Sequence, residues 1–346
     1  SAASDVYKRQ HLISLPSNRM GPSCERFIGG THVFTHTKGG NQTLKEILEH
    51  AMELARQEIP FGETASYIPE LGRVNKNQLG VSIFTCDGVQ ESVGDTQVRF
   101  TIQSISKVIT LAVALEKCGF YKVFEKVGME PSGDAFNSLV KLDVSSDHPF
   151  NPMINSGAIA ITSYLLPLVS FDDMLEITRQ LCMDPDIVMD GNVYQSEMNH
   201  LSRNRAIAYL LESKGIIAMD SVQDTLDLYV RMLSLSVTAE SLAGFGLVLA
   251  ANGIHPVTGK RLLDENVVKV VKTIMLTCGM YDGSGEFAVH VGVPSKSGVG
   301  GGILSVVDHR MGIGIFGPSL DGKGNSIAGR HILRHLSKEL NLHLFG

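Results

Sequence analysis

Apolar residues at helical spacing open the readable part of the chain. Leu44, Ile47, Leu48, Ala51, Met52 and Ala55 share one helical face, and Thr43 with Glu46 makes a capping box at its start, so a helix is predicted over 43–58. The period then shortens to two. Segments 81–84 and 90–94 flank Asp87-Gly88, a tight-turn dipeptide, which predicts a hairpin; 98–102 is expected to extend the same sheet. From 104 to about 264 the pattern is helical again, with helices predicted at 104–118, 171–183, 196–214, 223–235 and 239–252. Gly215 and Gly253 read as helix stops. Strand character returns at 286–292, 302–307 and 311–316, and a last helix is expected over 326–340.

Strands near both ends of the chain with helices between them imply one sheet assembled from distant segments. The predicted class is α/β of the α+β type, an antiparallel sheet flanked by helices with an all-helical domain inserted. The expected boundaries are an N-terminal extension over 1–40, a sheet domain from 41–120 and 262–346, and the helical insert over 121–261.

Composition narrows the function class. A hydrophobic fraction of 43% with 19% charged residues belongs to a globular protein. A net charge of −6, with no basic run, excludes nucleic acid and anionic membrane as expected partners. The five cysteines, at 24, 86, 118, 182 and 278, are odd in number and include no CxxC, which disfavours a disulfide framework or a structural zinc site. His32 and His36 are four apart but lack the glutamate of a zinc-protease helix. Residues 1–20 show no apolar signal core. The most apolar stretch, 157–169, is short and carries Thr162, Ser163, Tyr164 and Pro167, so it reads as a buried helix. A cytoplasmic protein is expected.

The chemistry concentrates at two places. Ser104 and Lys107 form an S-x-x-K where strand-like sequence becomes helix, so the amine can reach the hydroxyl. A serine needs a nearby base to become a nucleophile, and a desolvated lysine can serve. Late in the chain, Lys296-Ser297-Gly298-Val299-Gly300-Gly301-Gly302 matches the K-[ST]-G that lines the site of penicillin-recognising serine enzymes, where a strand N–H can help bind an oxyanion. The two together suggest a serine acyl-transfer enzyme of β-lactamase/D,D-peptidase-like fold.

Further segments make the likeness specific. Asp87-Gly88 with Gly94-Asp95, Gln103-Ser104-Ile105-Ser106-Lys107, Glu130-Pro131-Ser132-Gly133 and Asn151-Pro152-Met153-Ile154-Asn155-Ser156-Gly157-Ala158 come in order. Gln195-Ser196-Glu197, Arg203-Asn204, Cys278-Gly279-Met280-Tyr281 and Lys296-Ser297-Gly298-Val299 follow. Over about 43–340 the sequence resembles the serine-dependent glutaminases, the bacterial enzymes and the catalytic core of the animal kidney- and liver-type enzymes.

That resemblance implies hydrolysis of L-glutamine to glutamate and ammonia through a seryl intermediate, with no cofactor or metal. It makes Ser104 the nucleophile, Lys107 its partner, Tyr281 a proton shuttle and Tyr67 the tyrosine that closes on the substrate. Asn155, Glu197, Asn204, Tyr229 and Val299 match the glutamine-binding positions, Val299 through its backbone N–H. Glu197 would face the substrate ammonium, and Asn204, two helical turns on, its carboxylate. Either Lys107 or Tyr281 is the base. A homodimer or homotetramer is implied. The alternatives are a β-lactamase-like hydrolase and a catalytically silent glutamine-binding protein.

Overall fold

Alternating glycines set where the main sheet meets its helices. The computed structural model describes residues 42–132 and 147–346; the 1–40 extension, Cys24, His32, His36 and Gly133 lie outside them. Strands β1 (Gly80–Thr85) and β2 (Gln90–Gly94) form the expected hairpin, with Val81 opposite Val93. Strands β3 (Phe100–Thr101), β4 (Val188–Met189) and β5 (Leu235–Val237) make a small sheet in the order β3-β5-β4. Strands β6 (Ser295–Ser297), β7 (Gly302–Val307) and β8 (Met311–Phe316) join the hairpin, giving a five-stranded antiparallel sheet in the order β2-β1-β8-β7-β6.

The period-two pattern of β8 explains its two faces. Met311, Ile313 and Ile315 join Val81, Ile83, Ile303 and Val307 in a core covered by the helices Leu44–Arg56 and Ile327–Glu339. Gly312 and Gly314 face the other way. A Cβ on Gly314 would lie 1.9 Å from the Ala239 carbonyl oxygen and one on Gly312 2.1 Å from the Leu247 nitrogen, so only glycine lets the helix Ala239–Ala250 lie this close. Beyond that helix a second, larger core gathers the helices Ser106–Cys118, Asn155–Leu165, Phe171–Cys182, Val222–Leu233 and Glu265–Cys278.

Three expectations are corrected. Segment 98–102 does not extend the main sheet: only Phe100 and Thr101 are strand, paired with Val237 and Ser236 in the small one. The strand expected over 286–292 is the helix Ser284–His290. Phe287 and Val291, four apart, are buried, while Val289, which strand alternation would place beside them, is 73% exposed. The single helix expected over 196–214 is two, Gly191–Asn199 and Ser202–Ser213, broken at His200 and Leu201. The Thr43–Glu46 capping box is present as predicted. Among the described residues, no helix is long and apolar enough to cross a membrane.

Candidate active site

Ser104 sits where β3 ends and a short 3-10 turn, Gln103–Ile105, leads into the helix Ser106–Cys118. Gln103 holds a left-handed φ of 49°, uncommon for a residue with a side chain and characteristic of sites that aim the next residue sharply. The Ile102 N–H donates to Leu235 at 2.7 Å and the Ser106 hydroxyl to the Gln103 carbonyl at 2.8 Å, so the turn is tied on both sides.

The glycines after Lys296 explain how this turn meets the late segment. A Cβ on Gly298 would come within 2.8 Å of the Ile102 carbonyl oxygen, and one on Gly300 within 2.5 Å of that of Thr101. Their absence lets β6 and its following turn pass directly behind Ser104, which positions Val299 nearby.

Lys107 points into the protein and is 2% exposed. Its Nζ donates to Asn155 Oδ1 at 2.7 Å and to the Met153 carbonyl at 3.4 Å. Burial pulls its pKa down to about 7, because an ammonium there has lost its water. Asn155, the first residue of its helix and not the cap, which is Ile154, donates from Nδ2 to Asn204 Oδ1 at 3.0 Å. One relay of side chains thus joins residues 107, 155 and 204.

Tyr281 is buried at a left-handed φ of 54°. Burial pushes its phenol up, and the Ser104 side chain and the Val299 backbone, both acting on the hydroxyl, pull the other way without overcoming it. Positions 104, 281 and 299 therefore lie close enough to influence one another.

The opposite charge is held a short way along. Glu197, 4% exposed, accepts from the Tyr67 hydroxyl at 2.6 Å and from Gln103 Nε2 at 3.2 Å. Burial raises its carboxyl; those two hydrogen bonds lower it. It makes no ion pair with a lysine or arginine among the described residues. Tyr67 is half exposed, but its hydroxyl end turns inward, where burial and then Glu197 drive its pKa well up. Tyr229 is buried on the helix Val222–Leu233, its phenol raised by burial and next by Glu197. Asn204 is half-buried. With the helix broken at His200, it reaches the site by the Asn155 contact, not by continuing the Glu197 face.

Two further residues of the quoted motifs, Gln103 and Lys296, adjoin the site. Gln103 joins the serine turn to Glu197 and Tyr67, accepting from the latter at 3.3 Å. Lys296 is fully buried beside Tyr281. Adjacency to Ser104 was the available signal for the first, and the K-S-G pattern for the second.

The glutaminase family model matches residues 62–345, a span that contains every one of these positions. The chain belongs to the glutaminase family. Glutaminase 2 of Clostridium perfringens is 51% identical over 306 residues, 87% of this chain and all of that protein. A solved structure of a probable glutaminase, ybaS, superposes with a TM-score of 0.81 at 39% identity, over 87% of this chain and 98% of the other. A probable glutaminase from Bacillus subtilis complexed with 6-diazo-5-oxo-L-norleucine gives 0.79 at 36%, over 89% and 99%. Family membership and these neighbours also account for the mixed α/β architecture with its antiparallel sheet, and set the penicillin-recognising alternative aside.

Proposed function

We propose that the chain hydrolyses L-glutamine to L-glutamate and ammonia through a glutamyl ester on Ser104. What supports this reading is the burial of Ser104, Lys107 and Tyr281 together in one site, with the Ser104 side chain and the Val299 backbone near enough to act on the Tyr281 hydroxyl. The family membership supplies the substrate, and a relative's complex with a glutamine-shaped diazoketone agrees with it.

The directions of the pKa shifts divide the proton work. Lys107, pulled down to about 7, has a neutral fraction at neutral pH and acts as base. Tyr281, pushed up, keeps its proton and acts as donor. Ser104 Oγ attacks the δ-carbon as its proton passes to Lys107. The N–H groups of Ser104 and Val299 hold the oxyanion, each contributing on the order of 3 kcal/mol. Collapse breaks the C–N bond; Tyr281 protonates the departing nitrogen and regains its proton from Lys107. Water then attacks the ester as its proton passes to Lys107, and Ser104 leaves as the hydroxyl by taking that proton back from Lys107.

Glu197 pairs with the substrate ammonium, with Tyr67 and Tyr229 flanking it, while Asn155 and Asn204 serve the polar remainder of the substrate. A buried carboxylate supported by neutral donors gains most from a cationic ligand. The resemblance further supports a homodimer or homotetramer in the cytoplasm, with 121–261 acting as a helical domain inserted in the sheet domain.

Ammonia release from L-glutamine, with L-asparagine as control, tests the reading in wild type and Ser104→Ala. Release that the substitution lowers by at least about 10^3-fold is expected. Equal release from both proteins would remove Ser104 from the chemistry.

A further inference from the structure

Tyr281 sits in a backbone conformation that its own chemistry does not favour. Its φ of 54° is left-handed, and it opens the 3-10 turn Tyr281–Gly283. A glycine would take this φ without strain, so a tyrosine here needs specific contacts to hold it.

Two buried side chains outside the reaction scheme supply that hold. Ser284, at the start of the helix Ser284–His290, uses its hydroxyl twice. Its Oγ accepts from the Met280 N–H at 3.0 Å and donates to the Tyr281 carbonyl at 2.8 Å. One hydroxyl thus clasps the backbone across the bond about which the Tyr281 φ turns. Asn325 holds the peptide in between: its Nδ2 donates to the Met280 carbonyl at 3.4 Å. The same carbonyl accepts from the Gly283 N–H at 3.1 Å, which closes the 3-10 turn.

Asn325 is itself placed by a tight turn. Asp321 Oδ1 accepts from the N–H groups of Lys323 at 2.9 Å and Asn325 at 3.0 Å. Asp321 Oδ2 accepts from Arg330 Nη1 at 2.8 Å, which ties the turn to the helix Ile327–Glu339. At its base Leu320 pairs with both Glu63 and Ser326. A Cβ on Gly324, φ 89°, would lie 3.3 Å from Val299 Cγ1 and 3.7 Å from Tyr281 Cε2. The turn therefore packs against the tyrosine ring and against Val299.

We propose that Ser284 and Asn325 are positioning residues that lock Tyr281 in the left-handed conformation from which its hydroxyl acts beside Ser104. The proposal rests on the reading of Tyr281 as a participant in the Ser104 chemistry. Both side chains bond to backbone groups around the tyrosine, so they set where its ring is carried. The phenol oxygen is at the far end of a long side chain, and a modest change in φ displaces it by about an ångström or more. A displacement of that size costs on the order of 10–10^2-fold in rate.

A double-mutant cycle on the full chain tests the proposal. Ser284→Ala removes one hydroxyl and no backbone group. In the wild-type background it should lower kcat for L-glutamine by about 10-fold and leave KM within about twofold. In Tyr281→Phe, which has no phenol to misplace, the same substitution should cost less than about twofold. Asn325→Leu, close to asparagine in size, should give the same pattern. An equal fall in both backgrounds, a rise in KM alone, or no loss in the wild-type background would overturn the proposal. Should Ser284→Ala not fold, Asn325→Leu and Arg330→Met decide by the same cycle.

Failure of the donor reading shows separately, with the γ-(4-nitrophenyl) ester of L-glutamate, whose leaving group departs without a proton. Tyr281→Phe should keep its burst of 4-nitrophenolate while losing ammonia release from glutamine. A burst lost to the same extent would remove Tyr281 as proton donor and leave the result of the cycle standing.

Discussion

At Glu197 a buried anion is held by neutral donors, the Tyr67 hydroxyl and the Gln103 amide. At Lys107 and Lys296, on the other side of Ser104, buried amines are held by neutral acceptors: an amide oxygen, backbone carbonyls and a ring face. The difference between the two ends lies in what each can gain. The carboxylate stays charged usefully only if a cation arrives, so it serves recognition. An amine can shed its proton, so burial converts it into a base. Burial is common to both ends; its consequence depends on the sign of the group.

Substitutions that act on one end alone test that contrast. The largest effect is expected at the amine end, where Lys107→Met should lower kcat by about 10^2–10^4-fold while leaving glutamine affinity nearly unchanged. The same variant should melt higher than wild type. The unfolded chain binds a proton at Lys107 up to about 10.5 and the folded chain only up to about 7, so burial of this amine costs stability throughout neutral pH and the cost fades as pH rises. Calorimetric melting of both proteins checks this; a lower Tm in the variant would contradict it. Tyr281→Phe should reduce kcat by about 10^2-fold, most clearly in single-turnover ammonia release.

The anion end should respond in the other kinetic constant. Glu197→Gln removes the partner of the substrate ammonium and should raise KM by roughly 10–100-fold with a smaller change in kcat. Steady-state kinetics separate the two, and a pure kcat effect would move Glu197 into the chemistry. The smallest change is expected for Tyr67→Phe. One hydrogen bond to the carboxylate is lost and KM should rise by about 10-fold. In wild type the acid limb of kcat/KM should fall as pH drops through about 7, because protonation of Lys107 removes the base.

The fold was legible where its pattern is local. The capping box at Thr43, the Asp87-Gly88 turn and the alternation in β8 follow from neighbouring residues and are present as read. The errors arose where a distant partner decides. Segment 286–292 alternates like a strand, but the core it meets accepts Phe287 and Val291 and leaves Val289 outside. The break at His200 carries no glycine or proline to mark it. In the site, residue types were readable from the motifs, but the relay from Lys107 through Asn155 to Asn204 joins positions up to 97 apart that only packing brings together. Lys296 shows the same limit. The K-S-G pattern marks it, while its contact with Tyr281 follows from how closely Gly279 and β6 approach.

The most direct measurement of the central claim is rapid-quench mass spectrometry of the enzyme during L-glutamine turnover, with the modified peptide sequenced. The account predicts a glutamyl adduct on Ser104, formed at a rate consistent with turnover and absent from Ser104→Ala. An adduct on Cys278, or none while ammonia is still released, would contradict it.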